Sequence, residues 1–328
     1  MTERRGAPPT TLAAAMTRDA SRQSYLTIRW LADRAYRADA FALYAYFRWL
    51  DDTLDERLVD WDQRLTFVAR QRHLLAQAVD GATPTDLSPE EALLVGLVRG
   101  DHASSGGGID TPDGRTDSRT DSLLLSLRSM LDVMEFDARR RGRPVAQQEL
   151  DDYTRDLAVA VTEALHHCIG HGQGSPHDET RYVAVTGAHV AHMLRDLAED
   201  LASGYLNLPA ELLVDGNVSL EDLQAPALRD WVRDRVELAR SCFATGRRYL
   251  AGVENARCRL AGHAYIARFE WVLDAVERDG YRLRAGYPER GTLRGGLTIA
   301  AGGARSALAA GRARSQRASA AATREVAR

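Results

Sequence analysis

The sequence predicts an all-α protein, and three observations carry that reading. From about residue 21 to about residue 285, apolar side chains recur mostly at helical spacing. Alternating runs rich in Val, Ile and Thr, the mark of strands, are scarce. Helix punctuation is also present: Ser88-Pro89-Glu90-Glu91 opens one segment, and Gly204 followed by Pro209 closes another. With 328 residues and 45% apolar content, the chain is long enough to bury a sizeable core in one large helical domain.

Composition narrows the chemistry. A formal charge of -3 gives no overall attraction to nucleic acid. Lysine is absent, so all 43 basic residues are arginine, which excludes Schiff-base lysine chemistry and a P-loop lysine. Any phosphate must be held by arginine. Cys168, Cys242 and Cys258 form no close pair in sequence, as expected of buried thiols in a reducing compartment. Neither a signal-peptide core nor a run of roughly 20 apolar residues occurs, which leads us to expect a cytoplasmic protein.

Taken in chain order, residues 1–20 read as a flexible N-terminal arm. The first distinctive element is "FALYAYFRWLDDTLDE", residues 41–56. Leu43, Phe47, Leu50, Leu54 and Leu58 form one helical stripe suited to core packing. Tyr44, Arg48, Asp51 and Asp55 form a second stripe beside it, with Asp52 alongside. Carboxylates one turn apart repel, and burying them without a cation costs more. An acidic last turn in solvent would have the same sequence, but acids at a helix C-terminus oppose the helix dipole.

Next come the capped helix starting at Ser88 and a Gly/Ser/Asp-rich stretch, about residues 100–122, read as a disordered insertion. Met130, Met134 and Phe136 suit a core or cavity wall, followed by Asp137. Glu163-x-x-His166 is half of a di-metal carboxylate signature, but no second Glu-x-x-His appears, so that class stays remote. His166, His167 and His171 lack a closed zinc ligand set and read as helix-end or loop residues.

The second acidic cluster is "MLRDLAEDLASGYLNLP", residues 193–209. His189, His192, Asp196, Glu199 and Asp200 share one helical face, and Arg195 adjoins Asp196. His192, one turn before Asp196, could contact metal-bound water or make a structural hydrogen bond. Two such helices facing each other would hold Mg²⁺ ions that keep several waters and bridge to phosphate oxygens. The arginines would grip the same diphosphate bidentately. Residues 291–328, rich in Gly, Ala, Ser and Arg with Glu325 the one acid, read as a disordered basic tail; weak contact with anionic lipid is the other reading.

These residues resemble the squalene/phytoene synthase family, isoprenoid synthases that join two prenyl diphosphates head to head. The resemblance runs from about Leu26 to Tyr287 and rests on "ALYAYFRWLDDTLDE" and "MLRDLAEDLASGYLNLP". "MLDVMEFDARRRGRP", "LDDYTRDLAVAV" and "FEWVLDAVERDGY" add support. It implies a single all-α bundle of the isoprenoid synthase type, residues 21–290, around a central apolar cavity. By matching positions, Asp51, Asp52 and Asp55 would bind Mg²⁺ from one wall, and Asp196 and Asp200 from the other. Arg48 and Arg195 would hold diphosphate with Tyr44 close by; Glu56, His192, Glu199 and Asp137 are further candidates.

The implied activity is ionisation of farnesyl or geranylgeranyl diphosphate and coupling of two units to a squalene- or phytoene-type product. A terpene cyclase using one prenyl diphosphate is the alternative on the same fold. A non-catalytic prenyl-lipid binder would not need two metal rows. NADPH would enter only if the product were squalene, and an apolar product would suit peripheral membrane contact. This chain departs from the family where the second prenyl unit is handled. The family usually has Gln and Asn at His189 and His192, and Arg and Tyr at Tyr205 and Asn207. It has Tyr at Arg155 and Phe269.

Overall fold

The structure, a computed structural model, describes residues 9–101, 118–169, 175–216, 218 and 225–287. The regular elements among them are the helices α1 (Pro9–Ala20), α2 (Arg22–Leu31), α3 (Arg37–Asp52), α4 (Trp61–Val79), α5 (Pro89–Arg99), α6 (Ser118–Arg140), α7 (Gln147–Cys168), α8 (Thr180–Ala202), α9 (Ala210–Asp215), α10 (Pro226–Gly252) and α11 (Ala256–Arg278). A 3₁₀ turn, Arg34–Tyr36, precedes α3, and a π turn, Thr53–Arg57, follows it. The one β pairing among the described residues is an isolated bridge between Val145 and Pro209. The chain divides into two compact units, residues 1–139 with 159–171, and residues 140–158 with 172–328.

In the first unit α3 packs against α1 and α5, and α5 against α4. Ala40, Ala42 and Ala45 favour the helix intrinsically, while Phe41, Leu43, Tyr46 and Leu50 bury its inner face. Leu54 is also buried and Phe47 half-buried, as the apolar stripe requires. Leu58 does not continue that stripe. The α geometry ends at Asp52, the next turn is π, and the Leu58 N–H reaches back five residues to the Thr53 carbonyl at 3.1 Å. Such turns are rare and concentrate at functional sites.

Two expectations need correction here. Residues 9–20, assigned to a flexible arm, form α1. Its Ala13 and Thr17 are fully buried, so the apolar contact with α3 outweighs the ordering cost. Residues 118–122, assigned to the insertion, are the first turns of α6. Residues 102–117, and those before 9 and after 287, lie outside the described residues.

Beneath α3 lies a buried polar chain. The Tyr46 hydroxyl donates to Gln71 Oε1 at 3.1 Å, and Gln71 Nε2 donates to Glu91 Oε1 at 3.0 Å. Arg70 reaches both Glu91 oxygens, at 2.7 and 2.9 Å. Glu91 also closes the capping box of α5: it accepts from Ser88 N at 3.0 Å while Ser88 Oγ accepts from Glu91 N at 3.1 Å. Burial works upward on the Glu91 carboxyl, but hydrogen bonds from Arg70, Ser88 and Gln71 outweigh it and hold the carboxyl at about 2.

In the second unit α8 packs against α10 and α11. Small residues let α8 and α10 approach closely. A Cβ at Gly187 would lie 2.7 Å from Cys242 Cβ, and one at Gly246 would lie 2.6 Å from Ala184 Cβ. Arg240 of α10 ties to Glu277 and Asp274 of α11. After α8 the chain turns at Gly204, whose φ of 86° favours glycine. The turn is then fastened to the loop before α7. Gly142 N donates to Gly204 O at 2.8 Å, and Ala210 N to Val145 O at 2.7 Å.

Glu91→Ala should destabilise the protein by about 2–4 kcal/mol, because it strips partners from buried Gln71 and removes a cap. Denaturant unfolding measures this. Since the folded carboxyl lies below its ordinary 4.5, its contribution is complete above about 4.5 and fades as pH falls toward about 2. The gap between parent and variant should therefore narrow over that window.

Candidate active site

The first acidic set sits at the end of α3. Arg48 pairs with Asp51 at 3.1 Å and with Asp52 at 2.5 Å, one turn on; of the stripe expected from the sequence, Tyr44, Arg48, Asp51 and Asp55, the α register of α3 carries the first three and not Asp55. Asp55 and Glu56 fall on the π turn and are exposed. Burial raises the Asp51 carboxyl to about 7, with Asp55, Asp137 and Asp52 pushing the same way and Arg48 opposing them. The structure thus brings Asp137 of α6 into the field of Asp51. The arginine does not balance the negative charge gathered there.

The second set lies on α8. Arg195 grips Asp196 bidentately, and His192 Nε2 meets the Asp196 Oδ2 at 2.8 Å. Burial works upward on Asp196, yet the bonds from Arg195 and His192 outweigh it and hold this carboxyl below its usual range. Asp200 behaves oppositely. Burial and then Asp196 raise it to about 6, while Asn207, His192 and Arg140 work against the rise. A cavity of about 290 Å³ opens beside this face, lined by Arg195, Asp196, Glu199, Ala285, Gly286 and Tyr287.

His189 does not share the polar setting of the other α8 residues. It is buried edge-on to Tyr153, with ring centroids 5.1 Å apart, and neither ring nitrogen has a hydrogen-bond partner. Burial, His192 and Arg140 lower its pKa to about 3, so the imidazole is neutral. Phe269 is also buried, in edge contact with Tyr265 at 5.1 Å and His192 at 6.4 Å. Arg155 points elsewhere, to exposed Glu179 at 3.1 Å. In the first unit, buried His167 pairs with Asp39 at 3.2 Å, whereas His171 lies outside the described residues.

Sequence reasoning missed Arg140. This arginine is 4% exposed and donates to Asn207 Oδ1 at 2.5 Å; the amide nitrogen of Asn207 donates to Asp200 Oδ2 at 2.6 Å. Its guanidinium also lies over the rings of Tyr153, at 4.7 Å, and Tyr205, at 5.1 Å. Because Arg140 can only donate, it fixes which way the Asn207 amide points, and hence what Asp200 receives. Within the arginine run 139–141 the sequence carries no sign of which one is buried. Tyr205 and Asn207, two departures from the family pattern, thus serve one arrangement.

Among the described residues no group of three His, Cys, Asp or Glu side chains forms a ready-made metal centre. The donor set still fits Mg²⁺, which takes one or two carboxylates and completes its shell with water and substrate phosphate oxygens. Asp51, under uncompensated negative charge, and Asp200, beside Asp196, are the oxygens such a cation would relieve. Replacing Arg140 by Met should cost about 2–4 kcal/mol, since it leaves buried polar partners without a donor. Arg155→Met, which removes a pair between exposed side chains, should cost less than about 1 kcal/mol in the same unfolding measurement.

A family model described as squalene/phytoene synthase matches residues 17–294. Solved structures with similar folds include the squalene synthase HpnC from Alicyclobacillus acidocaldarius. It is 21% identical, with a TM-score of 0.62 over 84% of this chain and 95% of that one. A dehydrosqualene synthase in complex with ligand is 17% identical, with a TM-score of 0.64 over 89% and 94%. TcSQS with the ligand E5700 is 14% identical, with a TM-score of 0.66 over 94% and 90%. No curated protein matches by sequence. At these identities the structural likeness shows a shared all-α isoprenoid synthase fold, and the family match spans most of the chain. The chain belongs to the squalene/phytoene synthase family.

Proposed function

We propose that this chain is a Mg²⁺-dependent synthase that ionises an allylic prenyl diphosphate, farnesyl or geranylgeranyl, and couples two units head to head. The product would be of squalene or phytoene type. One observation carries the reading: in a chain of this family, each unit presents a helix on which an arginine is already paired with carboxylates. These are Arg48 with Asp51 and Asp52, and Arg195 with Asp196.

In this reading each acidic helix takes part in binding Mg²⁺ and diphosphate. Mg²⁺ held by Asp51, Asp52 and Asp55 of the first unit, and by Asp196 and Asp200 of the second, would stabilise the charge that builds on the leaving group. Arg48 and Arg195 donate to the diphosphate oxygens, a task for guanidinium in a chain without lysine. Tyr44, half-buried one turn before Arg48, adds a hydroxyl at that end. Glu56, Glu199 and Asp137 add negative charge around the metal positions. His192 positions Asp196 through its hydrogen bond.

Ionisation leaves an allylic cation that must meet no strong positive charge. His189, held neutral by burial, satisfies that condition where a protonated imidazole would not. Tyr265 and Phe269, in edge contact with each other, add aromatic surface, whereas the face of Tyr153 already carries the Arg140 guanidinium. The departures at His189 and Phe269 thus supply an imidazole that burial keeps neutral and a buried aromatic ring. A phytoene-type product would form with loss of both diphosphates and a proton, whereas a squalene-type product needs a hydride, so NADPH would be required only for the latter.

The test is incubation of the purified protein with farnesyl or geranylgeranyl diphosphate and Mg²⁺, followed by mass analysis of the hydrocarbon. The expected product has twice the substrate's carbon count. A product with one substrate's carbon count would identify a cyclase and contradict coupling. Asp51→Asn and Asp196→Asn should each lower kcat by about 10²–10³.

A further inference from the structure

The turn after α8 is closed by its own backbone. The Tyr205 and Ser203 N–H groups both return to the Asp200 carbonyl, at 2.8 and 3.1 Å. Gly142 N donates to Gly204 O and Ala210 N to Val145 O, while Arg141 Nε donates to Ser203 O at 3.1 Å. Beside a turn already fastened in this way the chain buries a guanidinium and a carboxamide: Arg140 and Asn207 are each 4% exposed. Burying a charge is costly. Closing the turn does not explain that cost.

The polarity of the pair does. Arg140, its guanidinium over the rings of Tyr153 and Tyr205, can only donate, and it donates to Asn207 Oδ1. The amide nitrogen of Asn207 is therefore turned to Asp200 and donates to Oδ2 at 2.6 Å. The reverse orientation would set donor against donor at Arg140 and oxygen against oxygen at Asp200. One oxygen of Asp200 is thus committed within the protein, and Oδ1 is left for a ligand. Asp200 is half-buried one turn after Asp196, on the polar face of α8. Mg²⁺ demands near-ideal octahedral geometry, so it tolerates little misplacement of a carboxylate. Hydrogen-bond partners behind a ligand are what hold it in place. The family usually has tyrosine at Asn207, and a single hydroxyl cannot reproduce the separate acceptor and donor of the amide.

We propose that Arg140 and Asn207 are positioning residues for the metal site: the chain Arg140–Asn207–Asp200 fixes the Asp200 carboxylate so that Oδ1 is presented to Mg²⁺. This role rests on the proposed Mg²⁺ site and not on which product is formed. It is tested by calorimetric titration of the full chain with inorganic pyrophosphate over a series of Mg²⁺ concentrations. Asn207→Leu should raise the Mg²⁺ concentration needed for half-maximal pyrophosphate binding by about 10–100-fold. At saturating Mg²⁺ its affinity for pyrophosphate should return to within about threefold of the parent.

Asn207→Ser keeps an acceptor near Arg140 but is too short to reach Asp200, so it should fold and show the same shift even if Asn207→Leu does not fold. In an Asp200→Asn background, Asn207→Leu should add little, because its effect passes through Asp200. A parent that binds pyrophosphate with Mg²⁺, and folded Asn207 variants with an unchanged Mg²⁺ requirement, would overturn this role and leave the metal site standing. An equal loss at every Mg²⁺ concentration would overturn it as well, making Asn207 a packing residue. A full further shift in the Asp200→Asn background would break the link to Asp200. A parent that binds no pyrophosphate with Mg²⁺ would overturn the metal site and this role together.

Discussion

Carboxylates gathered on a partly buried helix face repel one another, and both acidic helices of this protein are organised around that repulsion. On α3 a single arginine, Arg48, bridges Asp51 and Asp52, and it is not enough to keep Asp51 in the ordinary carboxylate range. On α8 the compensation is uneven. Arg195 and His192 bond Asp196, leaving Asp200 to the Asn207 amide and the more remote influence of His192 and Arg140. One carboxylate per helix is left under strain that a cation would relieve. That shared imbalance, more than the count of acidic residues, sets these helices apart from acidic surface.

Each unit spends its packing on holding its acidic helix. In the first, α3 is clamped by α1 and α5, and the Tyr46–Gln71–Glu91 chain fixes its buried face. In the second, Gly187 and Gly246 let α8 lie close to α10, which orients the polar stripe of α8 on its other side. Arg140 then anchors the segment after α8 by stacking on Tyr153 and Tyr205 and bonding Asn207. Residues that break the family pattern at Tyr205 and Asn207 are thus explained by one another. Arg155 is explained more simply, since its side chain faces solvent with Glu179.

Much of this was legible in the sequence. Helical periodicity located α3 and α8, the Ser88 capping box opened α5, and Gly204 ended the turn after α8, because these signals are local and follow from backbone hydrogen bonding. What escaped was nonlocal. The twelve residues of α1 are alanine-rich and short, and their burial depends on α3 being present to receive them. The π turn shifts Asp55 and Glu56 off the α register, and no residue in Thr53–Arg57 announces it. Arg140 looks like any other member of its arginine run until the fold brings Asn207 to it.

Calorimetric titration with inorganic pyrophosphate tests, without turnover, the proposal that the two acidic helices bind Mg²⁺ and diphosphate. Binding should require Mg²⁺ and weaken at least about tenfold in Asp51→Asn and, separately, in Asp196→Asn. Binding that persists without Mg²⁺, or that only one of the two substitutions affects, would contradict it.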